Sequence, residues 1–395
     1  MADETISRRA RDLARSTPFD FLLGFFAHEY PERRARPGVL DLTFGNPHDP
    51  APTEYVEALR ASAVPRDEHW FGYKVSEPAA RAAAAESLRG VVDLPFEPDD
   101  VHLTTGGFTA LALALKLVCD PGDEVVYSVP PWFAYEVIVR EAGLVPVKVP
   151  VSAETFDLDL DAIADAITPR TRVVLVNTPN NPTGRVYPLV ELRRLAALLD
   201  EASARAGRRI FVVSDEPYHR IVFDSTEFHS PAEVYPWTLL AYSYGKTLLA
   251  PGQRIGYLAV PPTLPGRAEL RPAIEALQIA IGYAFPNAVL QHALPLLERI
   301  PFDVALYQRK RDLMVAGLRD IGHDLHRPEG TFYLFPRSPD PDDRAFEALL
   351  AEHDVLVLGG KYFETPGRFR ISLTASMDTL EASLPRFAAA FGEAG

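Results

Sequence analysis

The chain has 395 residues, of which 47% are hydrophobic and 24% charged; this excludes a disordered chain and allows a core large enough for two lobes. A formal net charge of -14 excludes the basic footprint that a nucleic acid or an anionic membrane surface requires. One cysteine, Cys119, excludes an intramolecular disulfide framework and fits a reducing compartment.

The segment Phe19 to Phe26 (FDFLLGFF) follows Arg8, Arg9 and Arg11. Asp20 interrupts its start, Gly24 breaks it, and His28, Glu29 and Tyr30 stand where a leader would carry a small-residue cleavage site. It reads as an apolar arm or helix that packs on another surface, such as a partner subunit. No apolar run reaches the roughly 20 residues of a membrane span, so the expectation is a soluble, cytoplasmic protein.

Candidate strands follow at Val101–Thr105, Glu124–Ser128, Val145–Val149, Arg172–Asn177, Ile210–Ser214, Thr238–Ser243 and Ile255–Val260. Most are short continuous runs of Val, Ile and Leu, the pattern of strands covered on both faces. Helical patterns such as Phe108–Val118 and Leu189–Arg205 lie between them, and the alternation predicts an α/β fold with a mostly parallel sheet. After about Ile281 the pattern changes. A long helical stretch over Ala288–Leu318 precedes strand-like Thr331–Phe335, Val355–Leu358 and Phe369–Leu373, with helices around Asp343–His353 and Met377–Phe391. The organisation expected is an arm over residues 1–44 that belongs in part to a small domain, a large domain over 45–285, and a smaller C-terminal α+β domain over 286–395.

Open α/β sheets bind ligands beyond the carboxyl ends of their strands. There the sequence places Thr105-Gly106-Gly107-Phe108, then Asn177-Thr178-Pro179-Asn180-Asn181-Pro182-Thr183-Gly184, then Asp215-Glu216-Pro217-Tyr218, then Tyr244-Gly245-Lys246. Taken singly, each has a plainer reading. Gly-Gly is a tight turn and not a dinucleotide fingerprint, Asn-Pro-Thr-Gly is good turn chemistry, Asp215 caps a turn, and Lys246 is a solvated lysine. Their joint order and spacing point further.

The strings Asn177–Gly184 (NTPNNPTG), Ser214–Tyr218 (SDEPY) and Ser243–Gly256 (SYGKTLLAPGQRIG) resemble the class I/II aminotransferase group of fold-type I enzymes, which use pyridoxal 5'-phosphate (PLP). So do the spacing from Lys246 to Arg254, Tyr73, Gly106-Gly107, Pro130-Pro131-Trp132-Phe133-Ala134-Tyr135, Gly330 within PEGTFYLF, and Arg370-Ile371-Ser372. The resemblance runs in order from about Gly45 into the C-terminal domain.

It implies that Lys246 holds the cofactor aldehyde as an internal aldimine and later moves the substrate's α-proton. Asp215 then faces the pyridine nitrogen and favours the protonated ring, a better electron sink. Tyr218 and Asn181 bond the phenolic oxygen, and Trp132 stacks on the ring. The phosphate falls to Gly106, Gly107 and Phe108 at a helix start, with Ser243, Arg254 and, from the neighbouring subunit of a homodimer, Tyr73. Arg370 clamps the substrate α-carboxylate, with Gly45, Asn46 and Asn181 beside it; Arg368 shares a strand face with Arg370 by the period of two.

Three positions depart from the family pattern. Gly245 stands where many relatives have serine, the segment after Tyr73 (Lys74-Val75-Ser76-Glu77-Pro78) lacks the usual glycine, and no second arginine can be assigned to a side-chain carboxylate. The activity implied is transfer of an amino group between an α-amino acid and a 2-oxo acid. The alternative is another outcome of the same cofactor chemistry: decarboxylation, elimination or replacement, or oxidative deamination.

Overall fold

The seven apolar runs in the middle of the chain form one sheet. In the computed structural model, which describes residues 5–15 and 19–394, a short strand β1 (Leu40–Asp41) precedes them. The seven are β2 (Val101–Thr104), β3 (Glu124–Val129), β4 (Val145–Pro150), β5 (Thr171–Asn177), β6 (Phe211–Asp215), β7 (Thr238–Ser243) and β8 (Gly256–Ala259). Their order is β2-β8-β7-β6-β5-β3-β4, parallel except where β8 runs antiparallel to β2 and β7.

The runs are continuous rather than alternating because both faces are covered. Val125, Val173 and Val213 pack with Leu111 and Leu115 of the helix Gly107–Val118. Their neighbours Val126, Val174 and Val212 pack on the opposite face with Leu192, Leu195 and Leu199 of the helix Leu189–Ala206. Helices on both faces send the carboxyl ends of the parallel strands to one edge. There the register sets Asn177 beside Asp215 and Asp215 beside Ala241.

A smaller domain holds β9 (Tyr333–Leu334), β10 (Val355–Leu356), β11 (Leu358–Gly359) and β12 (Phe369–Ser372). Strands β11-β12-β9 form an antiparallel sheet, and β10 pairs in parallel with β1, tying the chain before Gly45 to this end of the molecule. Met314, Leu318, Phe346, Phe369 and Phe387 form its core, which Tyr218, Ile221 and Phe223 join from the region after β6.

The long helical pattern near residue 300 is two helices, Ala288–Leu297 and Val304–Ile321. Pro301 lies in the break, where its missing N–H cannot continue a helix, and Asp303 caps the second helix by accepting from the Leu306 N–H at 2.8 Å. The first helix packs Leu290, Ala293 and Leu294 against Ala84, Leu88 and Leu240 beside the central sheet.

The N-terminal arm finds its surface within its own chain. A helix Phe19–Gly24 continues as a π-helical turn, Phe25–Glu29, and a short helix, Tyr30–Arg34. Leu22 and Phe25 are buried among Phe156, Phe335, Leu358, Tyr362 and Phe363. Among the described residues no helix is long and apolar enough to cross a membrane.

Directly after β6, Glu216 is fully buried. It accepts hydroxyl bonds from Ser214 and Ser230, both at 2.6 Å, and burial still pushes its carboxyl up to about 8. The sign follows from linkage. Below about pH 4.5 the group is protonated folded and unfolded; between there and about 8 only the unfolded chain ionises, so this group's contribution to stability falls as pH rises. Glu216→Gln removes that dependence. Denaturant midpoints should be similar for the two proteins near pH 4.5, and the variant should be more stable at pH 8 by a margin on the order of a few kcal/mol.

Candidate active site

Lys246, just beyond β7, stands in a cavity with Asp215 and Tyr218 from the end of β6 and Asn177 and Asn181 from the end of β5. Gly107, Phe108, Trp132, Ser243 and Arg254 also line it. A second cavity shares Phe108, Trp132, Lys246 and Arg254 and extends to Gly45, Asn46, Tyr333 and Arg370. All but two of the residues given a role from sequence thus line two adjoining spaces. Gly106 lies directly beneath Arg254. Tyr73 lies elsewhere: it is 97% exposed, with its ring 5.9 Å from that of Phe285.

Asp215 is held from two sides. Its Oδ2 accepts from the Tyr135 hydroxyl at 2.5 Å and from Asn177 Nδ2 at 3.4 Å, and Asn177 Oδ1 accepts the Asn181 N–H at 2.8 Å. Burial pushes the Asp215 carboxyl up to about 6, while the Tyr135 hydroxyl and the Lys246 charge oppose that rise. A cation set against the carboxylate would return it to full ionisation.

Gly106 has φ +92, the left-handed region, and opens the helix Gly107–Val118. A Cβ there would stand 2.5 Å from Arg254 Nη2, so the guanidinium packs on bare backbone. Arg254 Nη1 donates to the Pro251 carbonyl at 2.7 Å, and no carboxylate pairs with it among the described residues. The free N–H groups of a helix start, the Ser243 hydroxyl and an unpaired guanidinium together make a cradle for a phosphate. At Gly245, where the family often has serine, a Cβ would come within 3.0 Å of Pro251 Cα, so the turn carrying Lys246 is tight.

Arg370, on β12, is 2% exposed. Nη1 donates to Asn181 Oδ1 at 3.0 Å, Nη2 donates to the Thr43 carbonyl at 2.9 Å, and Nε is buried without a partner. Its guanidinium lies 4.1 Å from the Tyr333 ring centroid and pairs with no carboxylate among the described residues. Arg368 is engaged elsewhere. It donates to the Phe335 carbonyl at 3.1 Å and stacks over Phe156 at 4.9 Å, outside the cavity walls.

Two tyrosines in the site went unassigned from sequence, Tyr135 and Tyr333. Each lies inside a string quoted above, PPWFAY and PEGTFYLF, so a signal was present, but only the folded chain shows Tyr135 reaching Asp215. Tyr333 meets the Tyr218 hydroxyl. Burial drives Tyr218 well above the usual phenol range; for Tyr333 burial acts the same way, but the Lys246 and Arg370 charges and the Tyr218 hydroxyl outweigh it and hold the group below that range. Gly45 is needed beside them, since a Cβ there would lie 2.5 Å from the Tyr333 hydroxyl oxygen.

A lysine that shares a cavity with a buried acid, beyond the carboxyl ends of a mostly parallel sheet and next to a set of groups able to hold a phosphate, is the arrangement of a PLP enzyme of fold type I. Residues 37–387 match the family described as aminotransferase class I and II, and the chain belongs to it. It is 34% identical over 378 residues to the aspartate/prephenate aminotransferase of Thermus thermophilus, covering 92% of this chain and 93% of that protein. Among solved structures it is similar to an amino transferase from Eubacterium rectale, with a TM-score of 0.90 and 31% identity over 98% of this chain and 99% of that one. The aspartate aminotransferase of Thermus thermophilus solved with maleate gives a TM-score of 0.83 at 31% identity, over 98% and 99% of the two chains. The family is PLP-dependent, and the residues of this cavity fit that cofactor: acid, lysine and cradle stand in one space, and the cradle's cation has no anion of its own.

Gly106→Ala should strike the cradle while sparing the fold. The new methyl meets Arg254 and is strained at positive φ. Absorbance titration with PLP should show affinity reduced roughly tenfold or more, with a melting temperature of the cofactor-free protein within a few degrees of the parent.

Proposed function

We propose that this chain transfers an amino group between an α-amino acid and a 2-oxo acid, with Lys246 as the residue that holds PLP and moves the substrate's α-proton. The observation that carries the reading is that Lys246 and the buried Asp215 line one cavity, while the adjoining space holds a buried Arg370 that pairs with no carboxylate among the described residues. PLP, when bound, supplies the electron sink that stabilises negative charge at the substrate α-carbon. Asp215, steadied by Tyr135 and Asn177, keeps a proton on the ring nitrogen. Tyr218 and Asn181 hold the phenolic oxygen, and Trp132 covers the ring face. Gly106, Gly107, Phe108, Ser243 and Arg254 hold the phosphate. Arg370, with Gly45, Asn46 and Asn181, fixes the α-carboxylate and so presents the α-hydrogen to the Lys246 amine.

Tyr73 is assigned to the phosphate of a neighbouring subunit in a homodimer, a reading supported by its exposure away from its own chain's cavity. A soluble cytoplasmic enzyme of amino-acid biosynthesis fits the acidic surface and the single cysteine.

Lys246→Ala should retain the fold by circular dichroism but lose both the cofactor's lysine-linked absorbance band and turnover. Reversible conversion of the parent protein to the pyridoxamine form by an amino acid alone identifies transamination; release of carbon dioxide or ammonia without an acceptor identifies another outcome. Arg370→Lys should raise KM for amino acids roughly tenfold or more, because a point charge cannot replace a planar fork, with much less effect on amines that lack a carboxylate. Equal loss on both substrate types would assign the α-carboxylate elsewhere.

A further inference from the structure

We infer that the substrate side chain is large and apolar, aromatic above all, rather than a second carboxylate. This deepens the aminotransferase reading and rests on it. The space that runs from Lys246 to Arg370 is walled by Phe44, Phe108, Trp132, Phe133 and Tyr333. The rings are mutually braced. Phe108 meets Trp132 edge-on at 4.4 Å, Trp132 lies 5.6 Å from Phe133, and Phe44 is backed by Phe26 at 4.5 Å and Tyr30 at 5.3 Å.

The charges on the same walls are Lys246, Arg254 and Arg370, and the proposed chemistry uses all three: the amine, the phosphate and the α-carboxylate. The uncharged polar side chains beside Tyr333 are Asn46 and Thr105, and Thr105 Oγ1 is already paired with Thr109 Oγ1 at 2.6 Å. A distal carboxylate would therefore leave water for aromatic faces and find no further cation among the described residues of this chain, which is costly. A phenyl or indole ring would instead gain apolar burial and edge-to-face contacts against a preformed aromatic wall. In this the chain departs from the relative solved with maleate, a dicarboxylate.

The test uses the PLP-loaded enzyme and single amino acids without an acceptor, following conversion to the pyridoxamine form. Phenylalanine or tyrosine should react with a kcat/KM at least tenfold above that of aspartate. Calorimetry with unreactive acids gives a second readout: 3-phenylpropionate should bind at least tenfold more tightly than succinate. Phe133→Ala should lose more rate on phenylalanine than on alanine, and Phe44→Ala, on a different element, should show the same bias should the first variant fail to fold. Faster reaction of aspartate than of phenylalanine, or tighter binding of succinate, would overturn the inference and leave the aminotransferase reading intact. Phenylalanine and alanine falling equally in both variants would overturn it too. Failure of every amino acid to convert the cofactor would instead remove the aminotransferase reading itself, and this inference with it.

Discussion

Positive charge that the chain does not neutralise is the constraint around which this site is built. Arg370 is buried, donates to an amide oxygen and a backbone carbonyl, and has a third N–H with no partner. Removing a guanidinium from water without an anion costs several kcal/mol, more than two neutral acceptors return. Arg254 likewise lacks a carboxylate partner among the described residues, although it lies open to solvent. Elsewhere the fold pairs its cations readily: Arg311, fully buried, is matched by Asp224 and Asp312. Arginines without acids inside a cavity therefore mark where anions from outside can be held, and the proposed function puts a phosphate at one and a carboxylate at the other.

The topology explains why these groups can be so close together. Strands β5, β6 and β7 are adjacent and parallel, so their carboxyl ends deliver Asn177, Asp215 and the Lys246 turn to one edge. The helix that covers β7 and β8 is capped by Gly106, and so points its N-terminus into the same space. Arg370 and Tyr333 come from the smaller domain, on neighbouring antiparallel strands β12 and β9. Two pieces of structure with separate cores thus meet at a polar seam. The seam is held by the Arg370–Asn181 hydrogen bond and by Tyr218 and Ile221, which reach from one domain into the other's core.

The sequence was legible where one physical signal dominated. Runs such as Val173 to Val176 read as doubly covered strands because each alternate residue meets a helix, and all seven appear within a residue or two of the expected ends. The strand-end strings carried Asp215, Asn181 and Lys246, since a ligand site at such edges is a property of the fold class. What could not be read was set by distance along the chain. The Tyr135 hydroxyl finds Asp215 across 80 residues, and Arg370 finds Asn181 across 189. The choice between Arg368 and Arg370 likewise needed the neighbours. Period two gives both one face, but Arg368 sits just before β12 and spends its donors on backbone carbonyls. The break at Pro301 was visible in the sequence, yet apolar spacing on both sides masked it. The arm's docking surface is built from Phe156, Phe335 and Phe363, none of them near it in sequence.

Asp215 shows how a buried site can be tuned to the molecule it holds. Set alone at the foot of the cavity, the carboxyl is pushed up to about 6 by desolvation, against the pull of Tyr135 and Lys246. Each unit of such a shift corresponds to about 1.4 kcal/mol between the two charge states. Under the proposed reading, a protonated ring nitrogen set against it would shift the balance back toward the carboxylate, and by linkage the carboxylate would favour the proton on the ring by the same free energy. Tyr135 limits the loss at neutral pH by donating to the oxygen that carries the charge, while Asn177 fixes the carboxylate's orientation through the same atom and through the Asp215 backbone carbonyl at 2.9 Å. The acid's strength toward its ligand thus comes from the desolvation that makes its ionised state expensive when no cation is there: the same low-dielectric pocket amplifies both the penalty and the ion pair.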